Sequence, residues 1–452
     1  MRTTLACRLG RWRRGKREAA AAKGLASRLC LGRRARVFSA ARLAGSIGHL
    51  DIVWDKGGYR FNMTITVSTW SPTASGALGA EETFIVVKPQ GLGSFASQIA
   101  QTFDLYEAEQ KRLGLDAASA ITVTLFLSDA ANQEDELRMH EAFARLVAIG
   151  PAVTVVQQPP VGAKLGLLAY HVRRSQGTAT RTALTVNGVK LKAMGVEVAT
   201  GPYRIRYLKN LIAAKGGDAG AQTDQLLGIP DMAARSGGIS LGEIIRTWIY
   251  VANIDVNYAP VSSARNRIFD RHGITRDVGF PASTGIDGHS ADRGDLVLLD
   301  VLAIQGLEPG QNRRMEALTH MNATVEYGVT FERGRELVFG DRRHLYVSGT
   351  ASISNHGEIL HLGDVVRQTG RAVENVAALL AGSGAQLTDL RYLIVYLRDA
   401  IDAEVVEATL AEGPLAAVPR MIVHAPVCRP GWLVEMEGIA IDGKGDARFA
   451  PF

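Results

Sequence analysis

The amino-acid sequence predicts an α+β fold of three tandem β-α-β-α-β-β modules, and three observations predict it. Strand-like runs rich in β-branched and aromatic residues stand at 122–129, 246–253 and 392–399, each ending in a turn-forming Asp or Asn. Segments of helical spacing flank these runs and are punctuated by glycine. Two further strand-like runs then close each module. Helices would cover one face of each sheet, and the opposite apolar face needs another cover. Three sheets in one chain supply it for one another when packed as an intrachain pseudo-trimer, as subunits do in a cyclic trimer. Three separate beads are the alternative.

Composition bounds the reading. At 452 residues, 46% hydrophobic and 21% charged, the chain buries sizeable cores and is not a disordered protein. The net charge of +6 is uneven. Residues 1–62 hold fifteen Lys and Arg against three acids, an excess of about +12, so the remainder is acidic, near −6. A nucleic-acid partner is therefore not expected, since that needs a basic stripe on the folded part. Cys7, Cys30 and Cys428 form neither a disulfide framework nor zinc-ligand spacing, which points to a reducing, cytoplasmic setting without a metal. No run reaches eighteen apolar residues, so no membrane span is expected.

Residues 1–62 are read as a basic leader, either disordered or the product of a start codon placed too early. An organellar transit peptide and a functional basic arm are the other readings of this acid-poor, arginine-rich stretch. Met63 opens Thr64-Ile65-Thr66-Val67, the expected first strand of a module over 63–175. There Ile99, Phe103 and Tyr106 mark a helix ended near Gly114, a second helix is expected over 136–147, and strands over 154–156 and 165–170. The second module, 176–307, has its glycine punctuation at Gly237-Gly238 and a helix over 256–269. In the third, 308–452, Val373, Val376 and Leu380 mark a helix before Gly384, and strands follow over 421–423 and 433–441.

In the third module, Leu345-Tyr346-Val347-Ser348-Gly349, Gly363-Asp364-Val365, Gln368, Glu374-Asn375, Val395 to Asp399, Pro419-Arg420 and Glu435-Met436-Glu437 follow one another in a specific order. In this the chain resembles the Rid superfamily, also called YjgF or RutC-like, over most of 80–445. The resemblance implies the chorismate mutase-like fold, homotrimers among single-module members, and pockets between subunits. This chain then looks like a trimer folded from one polypeptide, a monomer or a dimer of such rings. Arg246 to Tyr250, Phe280 to Ile286, Tyr327-Gly328 and Val427 to Glu435 are also similar to the chorismatases, a two-module branch of that superfamily. The first module lacks the arginine and the glutamate and is read as degenerate.

Glu435 lies in an apolar strand on the same face as Glu437, where a carboxyl group has a raised pKa and can move a proton or position water. The resemblance gives it the catalytic role. It also gives Arg420 the task of holding a substrate carboxylate through its planar fork, and makes Ser348 and Gly349 pocket floor. Cys428 would line the pocket rather than attack, and Ser283 and Thr284 would either reach a ligand across the module boundary or serve as ordinary turn residues.

The leading expectation is a Rid-type hydrolase of a small carboxylated metabolite: an enamine or imine deaminase releasing ammonia, with no cofactor. A chorismatase-like enzyme releasing pyruvate from chorismate and a non-catalytic binding module for a small acid are the alternatives.

Overall fold

The computed structural model describes residues 35–40, 47–56, 59–72, 79–90, 93–174, 180–186, 189–190, 194–228 and 238–452. The first sheet contains β1 (Ala35–Ala40), β2 (Ile47–Lys56), β3 (Tyr59–Trp70), β4 (Ala80–Gln90), β5 (Ala120–Leu127), β6 (Ala152–Gln157) and β7 (Leu165–Arg174), in the order β1-β2-β3-β4-β7-β5-β6. Its helices are α1 (Phe95–Leu113), α2 (Ala130–Met139) and α3 (Glu141–Ile149). The second sheet contains β8 (Thr180–Thr185), β9 (Met194–Thr200), β10 (Tyr203–Ile212), β11 (Ile244–Val251), β12 (Ala282–Asp287) and β13 (Val297–Gln305), with α4 (Ala219–Leu227) and α5 (Ile254–Arg271). The third contains β14 (Asn312–Met315), β15 (Gly334–Val338), β16 (Arg343–Ala351), β17 (Leu390–Leu397), β18 (Arg420–His424) and β19 (Val434–Asp442), with α6 (Val365–Gly382) and α7 (Ala403–Ala411).

A common core recurs in the three sheets. β4-β7-β5-β6, β10-β13-β11-β12 and β16-β19-β17-β18 each run antiparallel, antiparallel, then parallel. The parallel step follows from the helix that links its two strands. Helix starts and stops are locally encoded. Ser94, Asp218 and Asp364 accept a backbone N–H three residues on, and Gly114 ends α1 with φ 66°.

Two sequence expectations need correction. The first sheet begins before Met63: β1, β2 and the start of β3 lie within the stretch read as a leader, while residues 1–34 fall outside the described residues. The helix expected over 136–147 is two helices, because His140 turns extended (φ −74°, ψ 132°) and its Nδ1 accepts the Ala142 N–H at 3.2 Å, capping α3. Gly237 lies outside the described residues.

Period-two alternation assigns each sheet two apolar faces. On β7, Leu165, Leu167 and Ala169 pack under the helices of the first unit, while Tyr170 joins a cluster shared by all three sheets. Tyr203, Tyr207, Leu302, Tyr346 and Ile439 belong to that same cluster. Each pair of units is also stitched by an isolated β-bridge: Gln157 with His289, Ile286 with Val427, and Pro160 with Val423.

Charge joins the units as well. Glu82 of β4 accepts from Arg342 Nη1 at 2.6 Å and lies 2.9 Å from His344 Nε2, with all three side chains buried. Burial pushes the Glu82 carboxyl up, but His344, Arg342 and Tyr170 outweigh it and hold it at about 2. Lys209 and Asp300 form a second buried pair at 2.7 Å, which also takes the Thr154 hydroxyl of the first unit.

Candidate active site

Glu435 is placed by the alternation of β19. Val434, Met436 and Ala440 pack beneath α6, so Glu435, Glu437, Ile439 and Ile441 face the neighbouring units. Two residues along from Glu435, opposite Glu437, β16 carries a bulge: Val347 pairs with Gly438 and Thr350 with Met436, leaving one extra residue at Ser348-Gly349. Such an insertion breaks the ladder and re-aims the local backbone. A Cβ built on Gly349 would fall 2.2 Å from Glu435 Oε1, so only glycine lets the strand pass beneath this carboxyl.

The result is a cavity between the second and third units. Glu435, Gly349 and Cys428 line it from the third unit, and Ser283 and Thr284 of β12 from the second. Tyr258 and Arg265, seven residues apart on one face of α5, form another wall with Arg333 and Arg429.

Electrostatics separate acid from base in this space. Burial, then the Glu437 carboxylate, push the Glu435 carboxyl up to about 8, against the pull of Arg246 and Arg333. At neutral pH Glu435 holds a proton. Burial, then Glu435, push the Cys428 thiol up to about 12, so Cys428 is a wall and not a nucleophile. Arg265 is 2% exposed, and its Nε and Nη2 have no hydrogen-bond partner. A buried guanidinium in that condition calls for an anion. Phe331 lies between Arg265 and Arg333, its ring centroid 5.7 and 6.0 Å from their Cζ atoms.

Two predicted site residues stand elsewhere. Ser348 is fully buried and does not line the cavity; its hydroxyl donates to Glu332 O at 2.6 Å and accepts Ser283 N–H at 2.9 Å, tying the two units together. Arg420 lies in the other seam of the third unit, where β18 meets the first unit through Val423 and Pro160. Its guanidinium donates to Glu407, with Nε to Oε2 at 2.9 Å, and to Leu415 O at 2.8 Å. It does not share a cavity with Glu435, because β18 is an edge strand on the far side of the sheet from β16.

Tyr258, Arg265 and Arg333 carry no predictive signal in the sequence, whereas Arg429 lies in the chorismatase-like segment 427–435. Arg265 and Arg267 look alike on α5, yet Arg267 is 54% exposed and paired with Asp224. Only tertiary burial distinguishes them. Among the described residues no group of three or more His, Cys, Asp or Glu could hold a metal ion, and no helix is long and apolar enough to cross a membrane.

Residues 338–442, which hold the bulge and Glu435, match the family model of endoribonuclease L-PSP, the Rid module. The third unit therefore matches the Rid module. A chorismatase from Streptomyces rapamycinicus is 30% identical over 227 residues, 45% of this chain and 65% of that protein. The 3-aminoacrylate deaminase RutC of Acinetobacter baylyi is 28% identical over 97 residues, 21% of this chain and 77% of that one. The match therefore spans just under two thirds of the chorismatase's length. A chorismatase crystal structure shares the fold at a TM-score of 0.54 and 21% identity, over 72% of this chain and 93% of that one.

Strand register shows that the three seams are not equivalent. Glu435 pairs with Tyr396; the corresponding pairs are Leu298 with Tyr250 and Gly166 with Phe126. The position of Arg420 on β18 corresponds to Ser283 on β12 and Val153 on β6. A carboxyl at the Glu435 position thus stands in one seam of three.

Proposed function

We propose that this chain is a chorismatase-like hydrolase that cleaves the enol ether of a cyclic dicarboxylate and releases pyruvate. One observation carries the reading: a single cavity brings the protonated Glu435 carboxyl together with the guanidiniums of Arg265, Arg333 and Arg429. Two substrate carboxylates need several cations, and an enol ether needs an acid. The two kinds of group face each other across one space.

In this mechanism the arginines hold the two carboxylates and orient the enolpyruvyl group. Glu435 gives its proton to the terminal methylene carbon, and the ether carbon becomes an oxocarbenium ion. Water adds to that carbon and loses a proton to the Glu435 carboxylate, which restores the acid. The hemiketal then breaks its bond to the ring as its hydroxyl proton passes to the ring oxygen. Pyruvate and a dihydroxylated cyclohexadiene acid result, for a net consumption of one water. Tyr258, Trp432 and Phe331 enclose the reacting carbon and limit bulk water.

The deaminase reading asks Arg420 and Glu435 to grip one substrate. Their positions in different seams favour the chorismatase-like reading. We also propose that the three units close one intrachain ring, supported by the three inter-unit bridges and the shared apolar cluster. Light scattering should then give a monomer or a dimer of rings, and a trimer of chains would count against it.

The test is incubation with chorismate, with pyruvate read by a coupled assay. Release that disappears in Glu435→Gln is expected. Chorismate that binds without turnover would leave a small-acid binding module, and ammonia release from 2-iminopropanoate without pyruvate release from chorismate would make the chain a deaminase.

A further inference from the structure

Glu437 is the second carboxylate of β19, and its surroundings differ from those of Glu435. It is 1% exposed and does not line the active cavity. Its Oε2 accepts from Arg246 Nη2 at 2.7 Å and its Oε1 from Trp248 Nε1 at 2.6 Å. Both donors come from β11 of the second unit, and neither is able to accept a hydrogen bond. An ion pair and an indole hydrogen bond thus hold this carboxylate, two residues from Glu435 and on the same strand face.

Arg246 connects this clamp to the cavity. It is 2% exposed, and the Nη2 that holds Glu437 also donates to Thr284 Oγ1 at 2.6 Å. Thr284 Oγ1 accepts the Gly349 N–H at 2.9 Å, fixing the glycine that passes under Glu435. Arg246 is further held over the Trp248 ring at 4.9 Å. One set of contacts thus fixes the charge of Glu437 and the backbone beneath Glu435.

We infer that Glu437, clamped as an anion by Arg246 and Trp248 across the seam, is a positioning residue that keeps the proton on Glu435. A fixed negative charge at short range in a low-dielectric seam opposes a second one. The other groups facing Glu435 are Arg246 on β11, Arg265 and Tyr258 on α5, Tyr396 on β17, and Arg333, Cys428 and Arg429 on the loops of the third unit. Arg246 and Arg333 favour the ionised form. Without the Glu437 anion only burial would oppose them, and the acid that the proposed hydrolysis requires would be held less firmly. The inference rests on that reading for its purpose, but the coupling between the two carboxyls is measurable alone.

The test is a 13C-carboxyl NMR titration of the full chain labelled at glutamate, with the Glu435 signal assigned by its loss in Glu435→Gln. Replacing Glu437→Gln should lower the Glu435 midpoint by about one unit or more, whereas Glu437→Asp, which keeps the charge, should leave it within about half a unit of the parent. Loosened packing alone would not separate the neutral replacement from the charged one. A Glu437→Gln midpoint unchanged within about 0.3 units, or raised, overturns the inference. Should that variant fail to fold, a midpoint lowered by about one unit or more in Glu437→Asp overturns it equally. A shifted midpoint in a protein that leaves chorismate intact would sink the hydrolase reading and leave the coupling standing. If chorismate is cleaved, the alkaline limb of kcat/KM should move down with the NMR midpoint in Glu437→Gln.

Discussion

Gly349 lies directly beneath the carboxyl of Glu435, with room for no side-chain atom between them. A Cβ there would sit 2.2 Å from Oε1 and 3.1 Å from Thr284 Cγ2. Gly349→Ala must therefore displace the acid. Because a shift of about 1 Å at a reacting group costs on the order of 10²-fold, kcat/KM for chorismate should fall by about that factor. Thermal melting beside the pyruvate assay checks that the fold survives.

The raised Glu435 carboxyl makes activity depend on its acid form. Pyruvate release should decline as pH rises through about 8, the value to which burial and Glu437 push the group. Stability follows the same sign. Between the ordinary value of 4.5 and about 8 the native state holds a proton that the unfolded chain has released, so rising pH erodes stability across that window. Glu435→Gln escapes this loss. Its melting temperature should exceed that of the parent at pH 9 and match it near pH 5.

Arg265 brings two unpartnered guanidinium nitrogens to the cavity. A charge-assisted hydrogen bond contributes about 1.5–3 kcal/mol. Arg265→Met should therefore raise the chorismate KM by about 10- to 100-fold. Since no buried partner is left behind, the melting temperature should hold or rise.

Arg420 belongs to the opposite seam, and its pair with Glu407 is half exposed on the carboxylate side. Arg420→Ala should leave pyruvate release within about twofold and cost less than about 1 kcal/mol in urea unfolding. A large loss of activity on chorismate would return Arg420 to the site and revive the deaminase reading.

Glu82 links the first and third units through Arg342 and His344. Glu82→Gln leaves Arg342 buried with only Asp341 as its ionic partner, so it should cost about 3–5 kcal/mol in denaturant unfolding at pH 7. In the parent chain this carboxyl is depressed to about 2. Its contribution is therefore present above pH 4.5 and lost as pH falls toward 2.

Several features were legible in the sequence because local chemistry dictates them. The alternation Val434-Glu435-Met436-Glu437 gives both carboxyls one face, and that face is the seam. Ser283, Thr284, Gly349 and Cys428 line one cavity with Glu435. Ser348 did not join them, since the bulge turns its hydroxyl to Glu332 and Ser283. His140 was invisible as a helix break because its cap is a ring nitrogen, not one of the usual capping side chains.

By itself the sequence determined the repeat, the helices and strands within it, and the strand that carries Glu435, all from periodicities over a few residues. Only the tertiary structure decided which seam holds the cavity beside Glu435. A cavity between units draws Arg265, Thr284, Arg333 and Glu435 from positions far apart in the chain. Their burial and missing partners arise when the units pack, and no local pattern distinguishes such an arginine from one in solvent.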